Sequence, residues 1–242
     1  MKICVAQNKP FIGNIPLNID RHLELIKLSL PYKPDIIIFP ELSMTGYDYN
    51  AAQNFATDHT DHRFAVFQNL SNLHSVIIGI GVPIRDEDKT CISMILFQPD
   101  KPRQLYSKKY LHQDEAPYFI PGKTTVGLIG NEAKVALAIC HEISVLAHVK
   151  NVNKCGAKVY VASVAKFENG IDRALTRLSD IGNEYSMIVL MANSVGKCGD
   201  NTCAGRSSIW DSNGLLLGQL PEEKEGILLI DIDTKKIITK VY

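Results

Sequence analysis

Two rhythms of apolar positions run through the chain. Near-continuous apolar runs occupy residues 35–39, 76–82, 134–140, 156–162 and 187–191. Such runs predict strands covered on both faces. Between them lie segments with apolar residues three and four apart. Residues 18–30 place Ile19, Leu23, Ile26 and Leu30 on one face and Arg21, Glu24 and Lys27 elsewhere, and Pro31 and Pro34 close the segment. That pattern predicts a surface helix. Residues 50–55, 62–74 and 171–185 read as helices, as does 143–150, directly after the run at 134–140.

Residues 2–7, 92–98 and 104–106 predict further strands. Residues 207–210 and 215–219 predict a hairpin around Asp211-Ser-Asn-Gly214, and 226–232 a last strand. Residues 85–89 read as a charged turn. Residues 110–125, with Pro117, Pro121 and Gly122, and residues 193–206, rich in Gly, Asn and Ser, read as loops. A loop as long as the first is usually functional or disordered. Strands alternating with helices, with no linker or repeat, predict one α/β domain over residues 1–242 with helices outside the sheets.

Composition narrows the function. The chain has 242 residues, with 26 Lys+Arg and 26 Asp+Glu, so the net charge is zero. No basic excess points to nucleic acid or an anionic membrane as partner. The N-terminus reads as a first strand rather than a signal peptide, and no apolar run is long enough to span a bilayer. The six cysteines are scattered. They are expected to be reduced thiols in a cytoplasm, with a disulfide or metal role for the close pair Cys198 and Cys203 as the alternative.

Cys140 ends the run at 134–140, where the following helix would present its N-terminus. The partial positive charge there favours thiolate over thiol, the form that acts as a nucleophile. Glu41 follows another buried strand, and Lys108 lies just past a third. Each alone reads as an ordinary core, turn or surface residue. Phe39-Pro-Glu41-Leu-Ser-Met-Thr-Gly-Tyr47, Tyr106-Ser-Lys108-Lys-Tyr-Leu111 followed by Glu115-Ala-Pro-Tyr-Phe-Ile-Pro-Gly122, and Ala138-Ile-Cys140-His-Glu142 together resemble, in that order, the glutamate, lysine and cysteine motifs of the carbon–nitrogen hydrolase (nitrilase) superfamily. Weaker similarity runs through Ala162-Ser163, Ala192-Asn193 and Gly205-Arg-Ser-Ser-Ile209.

The resemblance implies a four-layer α-β-β-α sandwich with the triad at strand ends. It also implies hydrolysis of a non-peptide C–N bond of a small amide through a cysteine thioester. Cys140 would be the nucleophile, Glu41 the base and Lys108, with the His141 backbone N–H, the oxyanion stabiliser. Glu115 would hold Lys108. Strand alternation selects Lys108 over Lys109. Tyr47, His112, His141, Glu142, Ser163 and Lys166 flank these motifs or follow strand ends and are candidate pocket residues. His141 departs from the family, which commonly has an aromatic residue there.

Seven histidines invite a metal reading, but His148 follows His141-Glu142 where zinc-protease spacing requires a histidine at 145. No phosphate-binding glycine loop is present, so neither metal nor cofactor is implied. N-carbamoyl or nitrile hydrolysis, acyl transfer and a non-catalytic scaffold are the alternatives. By resemblance, the chain is expected to form a homodimer or higher homo-oligomer.

Overall fold

A computed structural model of the chain describes residues 1–124, 127–130 and 135–242. In chain order its elements are β1 (Lys2–Gln7), α1 (Ile15–Ser29), β2 (Ile36–Ile38), α2 (Tyr49–Asn54), α3 (Ala65–His74), β3 (Ile77–Asp86), β4 (Lys89–Phe97), β5 (Gln104–Ser107), β6 (Gly127–Ile129), β7 (Val135–Ile139), α4 (Leu146–Lys154), β8 (Val159–Ser163), α5 (Ile171–Tyr185), β9 (Ile188–Ala192), β10 (Val195–Cys198), β11 (Asn201–Ala204), β12 (Ser208–Trp210), β13 (Leu216–Gln219), β14 (Gly226–Asp231) and β15 (Ile237–Val241).

The apolar runs build two sheets, β15-β14-β1-β2-β3-β4-β5 and β13-β12-β9-β8-β7-β6. Three neighbouring strands are parallel in each, β1-β2-β3 and β7-β8-β9. Alternation along a strand sorts its side chains between two cores. Ile3, Val5, Ile36 and Ile38 pack toward the second sheet, in the core that also holds Leu137 and Val161. Cys4, Ala6, Ile37 and Phe39 pack the other way, against Leu25 and Ile26 of α1 and Phe67 of α3. Val149 and Val152 of α4, with Leu178 and Ile181 of α5, cover the second sheet. The result is helix, sheet, sheet, helix. Fully burying each such aliphatic side chain contributes roughly 1.5–3 kcal/mol.

Local chemistry sets the helix ends. Asn14 caps α1 by accepting the Leu17 N–H, with a proline in the first turn. Helix α5 stops where Ser186 takes a left-handed φ of 52°.

Four expectations need correction. The helix read at 143–150 starts later: residues Cys140–Ser144 form a 3-10 turn and α4 begins at Leu146. The cause is Val145, which is extended (φ −93°, ψ 105°) and separates the two. The loop read at 193–206 is the antiparallel hairpin β10–β11, closed at Gly199-Asp200. Its end is fastened by a Cys198–Cys203 disulfide, so these two are not reduced thiols. Two short strands, β6 and β15, carried too little apolar pattern to be predicted. The start of the run at Lys134 and the end of the loop at Thr125 lie outside the described residues. Among the described residues, no helix is long and apolar enough to cross a membrane.

Candidate active site

Parallel strands in both sheets end at one place. β2 runs through Phe39 and Pro40 into Glu41. The Phe39 N–H donates to the Gly79 carbonyl and the Met44 N–H to the Gly81 carbonyl, which seats this turn on β3. Gly81 is required there: a Cβ on it would stand 2.2 Å from the Pro40 carbonyl oxygen and 2.5 Å from the Leu42 nitrogen. Lys108 follows β5. Its N–H donates to the Ile92 carbonyl, and its own carbonyl accepts the Gly122 N–H at 2.7 Å.

These anchors bring three charges together. The Lys108 ammonium donates to Glu41 Oε1 and to Glu115 Oε1, both at 2.7 Å. All three side chains are fully buried. Glu115 also accepts from the Tyr47 hydroxyl at 2.6 Å and from the His112 N–H at 2.8 Å. Glu41 Oε2 has no hydrogen-bond partner among the described residues.

The two carboxylates are pushed apart. Burial raises the Glu41 pKa to about 7, with Glu115 adding to the rise and Lys108 opposing it. Burial also works on Glu115, but Lys108, Tyr47 and the His112 N–H outweigh it and hold that carboxyl below its usual range. A pair separated in this way supplies one fixed anion and one group able to exchange protons near neutrality. Burial opposes the charge on Lys108. Glu41, Cys140 and Glu115 overcome it, so the lysine stays an ammonium.

Cys140 lies at the end of β7 with φ at 42°, a left-handed conformation that costs a non-glycine residue about 1–2 kcal/mol. Glu142 holds this bend. Its Oε2 accepts the Ile139 N–H at 2.8 Å and the Tyr106 hydroxyl at 2.7 Å, and its Oε1 accepts the Lys109 N–H at 2.7 Å. One buried carboxylate therefore ties the cysteine bend to the loop bearing Lys108. The expected thiolate does not emerge. Burial, and then the Glu41 charge, raise the thiol pKa above its usual value, against the pull of Lys166 and Lys108. Only a short 3-10 turn follows the cysteine, too short to supply the dipole of a full helix.

Residues 2–240 match the family described as carbon–nitrogen hydrolase. The chain belongs to that family. A glutamine-dependent NAD(+) synthetase of Acinetobacter baylyi is 27% identical over 97% of the chain. The chain spans only 44% of that protein's length. A 2-oxoglutaramate amidase of Bacillus subtilis is 27% identical over 84% of the chain and 79% of its own length. An amidase from Nesterenkonia sp. AN1 superposes with a TM-score of 0.86 at 18% identity, over 96% of this chain and 92% of that one. Its mixed α/β fold, with sheets flanked by helices, is the one described above.

The remaining candidates in this carbon–nitrogen hydrolase divide. Tyr47 reaches the charge cluster through Glu115. Lys166 is half-buried past β8, and its charge acts on both Glu41 and Cys140. His112 and His141 meet edge to face, 5.2 Å between centroids, His112 being exposed and His141 half-buried. Burial and His112 lower the His141 pKa. Two candidates are structural instead of substrate-facing. Ser163 donates to the Phe39 carbonyl at 2.9 Å and joins the two sheets beneath Glu41. Glu142 is fully buried with both oxygens occupied, as described.

The sequence reading missed the aromatic wall beside Tyr47. Tyr49, Tyr118 and Phe167 line, with Tyr47 and the turn at 198–201, a cavity of about 340 Å³. It also missed the network in which His148 lies between Tyr106 at 3.2 Å and Tyr160 at 3.1 Å, next to Glu142. The apolar context of each residue hid that network. Among the described residues, no group of three or more His, Cys, Asp or Glu side chains is arranged to hold a metal ion.

Proposed function

We propose that the chain hydrolyses the amide of a small molecule through a thioester on Cys140. The observation that carries the reading is the buried Glu41–Lys108–Glu115 cluster, with a carboxyl of pKa about 7 whose second oxygen has no partner among the described residues. A thiol whose pKa is raised needs a base to take its proton as it attacks. Glu41 takes that proton while Sγ bonds to the carbonyl carbon. The oxyanion meets the Lys108 ammonium and the His141 backbone N–H. Collapse breaks the C–N bond, and Glu41 passes its proton to the leaving nitrogen. Water then attacks the thioester and gives its proton to Glu41; the C–S bond breaks, and Glu41 returns that proton to the sulfur. The products are a carboxylic acid, an amine or ammonia, and the free thiol.

The names of the relatives support this reading. The Bacillus subtilis protein is a 2-oxoglutaramate amidase, and one form of the Nesterenkonia amidase carries acrylamide added at its active-site cysteine. The test combines labelling with turnover. Iodoacetamide should modify Cys140 faster than Cys4, Cys91 or Cys155, and a panel of short amides should release ammonia. Cys140→Ala should abolish release. A panel hydrolysed equally well by Cys140→Ala would refute the mechanism.

A further inference from the structure

Two groups that the proposed chemistry must hold in register come from different sheets. Lys108 follows β5 of the first sheet and Cys140 ends β7 of the second. Glu142 bridges them. Its carboxylate accepts the N–H of Ile139, one residue before the cysteine, and the N–H of Lys109, one residue after the lysine. The basic group beside this buried carboxylate is the imidazole of His148, with Nε2 at 3.7 Å from Oε2. A buried carboxylate needs donors aimed at it, and one of them is the Tyr106 hydroxyl at 2.7 Å.

Behind Tyr106 the hydrogen bonds have a fixed direction. A hydroxyl has one proton, and Tyr106 gives it to Glu142. Toward His148 Nε2, 3.2 Å away, the same hydroxyl accepts, so Nε2 carries hydrogen. Burial holds the imidazole pKa below its usual value, with Glu142 opposing, so the ring is neutral and Nδ1 is bare. Nδ1 accepts from the Tyr160 hydroxyl at 3.1 Å. The donors thus run from Tyr160 on β8, through His148 on α4 and Tyr106 on β5, to Glu142 in the turn after Cys140. All four side chains are buried, and none lines the cavity beside Tyr47. Apolar residues at 106, 148 and 160 would fill the same space with no polar groups to satisfy. What these three side chains serve outside themselves is Glu142 Oε2.

We propose that His148 is a positioning residue: by donating to Tyr106 it aims the Tyr106 hydroxyl at Glu142 and so fixes the placement of Cys140 against Lys108. This rests on the amide hydrolysis proposed above and deepens it at the same site. Substrate does not reach His148, so the effect falls on the step in which Sγ bonds to carbon and Lys108 meets the oxyanion.

The test measures kcat and KM on the fastest of a panel of straight-chain amides from acetamide to hexanamide. His148→Leu should lower kcat about 10- to 100-fold, from one lost hydrogen bond to a displacement of about 1 Å, with KM within about twofold. His148→Gln, whose amide N–H replaces that of Nε2, should stay within about threefold of wild type. His148→Asn, which restores only the acceptor toward Tyr160, should share the loss. In a Tyr106→Phe background, His148→Leu should lower kcat by less than about twofold more, because its path runs through that hydroxyl. An unchanged kcat in His148→Leu, an equal fall in His148→Gln, or losses that multiply in the double variant overturn the inference and assign His148 to the fold. If His148→Leu does not fold, the contrast of Gln with Asn decides alone. A second readout is independent of turnover: iodoacetamide alkylation of Cys140, which needs Sγ aligned with Glu41, should slow about tenfold in His148→Leu and recover in His148→Gln. That alkylation pattern without hydrolysis in the wild type overturns the amide reading alone. Hydrolysis with kcat and alkylation indifferent to His148 overturns the positioning role alone. Neither hydrolysis nor His148-dependent alkylation overturns both.

Discussion

Replacing Glu115 by glutamine removes one negative charge from the buried cluster and leaves its shape almost unchanged. Glu41 and Glu115 each present an oxygen 2.7 Å from the same ammonium, so those two oxygens lie no more than twice that distance apart. At an effective dielectric of about 20, two unit charges at that separation repel by about 3 kcal/mol, or about two pH units. Glu115 is one of the groups that raise the Glu41 pKa. Removing its charge leaves Lys108 paired with Glu41 alone, so the Glu41 pKa falls. A base must be deprotonated to act, and wild-type activity should therefore rise with pH through about 7. In Glu115→Gln that rising limb should move to lower pH by one to two units, even if the maximum rate is reduced by looser Lys108 positioning. The assay is kcat/KM for a short amide between pH 4 and 9, with the pH dependence of Cys140 alkylation as a second record. A limb that stays near 7, or moves upward, would show that Glu41 is not the titrating group or that Glu115 is not its electrostatic partner.

Other perturbations have defined outcomes. Glu142→Gln puts an amide donor against the N–H of Ile139 or Lys109; it should cost about 2–4 kcal/mol, lowering Tm by roughly 5–10 °C in a thermal melt, with a larger loss in kcat than in KM. Cys140→Gly should unfold at higher urea than Cys140→Ala, by about 1 kcal/mol, because only glycine takes a φ of 42° without strain; equal midpoints would argue against a strained bend. Ser163→Ala should cost about 1 kcal/mol in the same assay and leave KM unchanged, since its hydroxyl serves the Phe39 carbonyl. Reducing the Cys198–Cys203 disulfide should cost about 2 kcal/mol at most, because the crosslink closes a loop with a sequence separation of only 5.

Much of the fold was legible because both sheets are covered on both faces. Runs such as 35–39 and 187–191 can be little else than buried strands, and the helix at Ile171–Tyr185 keeps its apolar spacing from end to end. Edge strands gave no such signal: β15 carries Lys240 and is largely exposed. In the site, ordered motifs drew attention to Glu41, Lys108, Glu115 and Cys140, and strand alternation separated buried Lys108 from half-exposed Lys109. What the sequence could not tell was which polar side chains are already occupied. Glu142 and Ser163 lie beside the motifs as Tyr47 does, but their partners Ile139, Lys109 and Phe39 consume them. Hydrogen bonds between residues as far apart as 39 and 163 leave no local pattern. The thiol of Cys140 misled for a similar reason. Its position suggested a helix terminus, while its protonation is governed by burial and by Glu41, 99 positions earlier in the chain.

The pairing of β1 with β14 bears on how the protein is made. Lys2 lies opposite Asp231 and Val5 opposite Leu228, so a strand near the middle of its sheet waits for a neighbour formed more than two hundred residues later. On the ribosome, β1 can pair with β2 as soon as residues 36–38 emerge, but its other edge stays open until residues 226–231 have been synthesised. An open, apolar edge invites pairing with another chain, and pairings so distant in sequence close slowly. The nascent chain therefore passes most of its synthesis with that edge unprotected. Translation rate and chaperone supply, rather than final stability, should set the yield of folded protein.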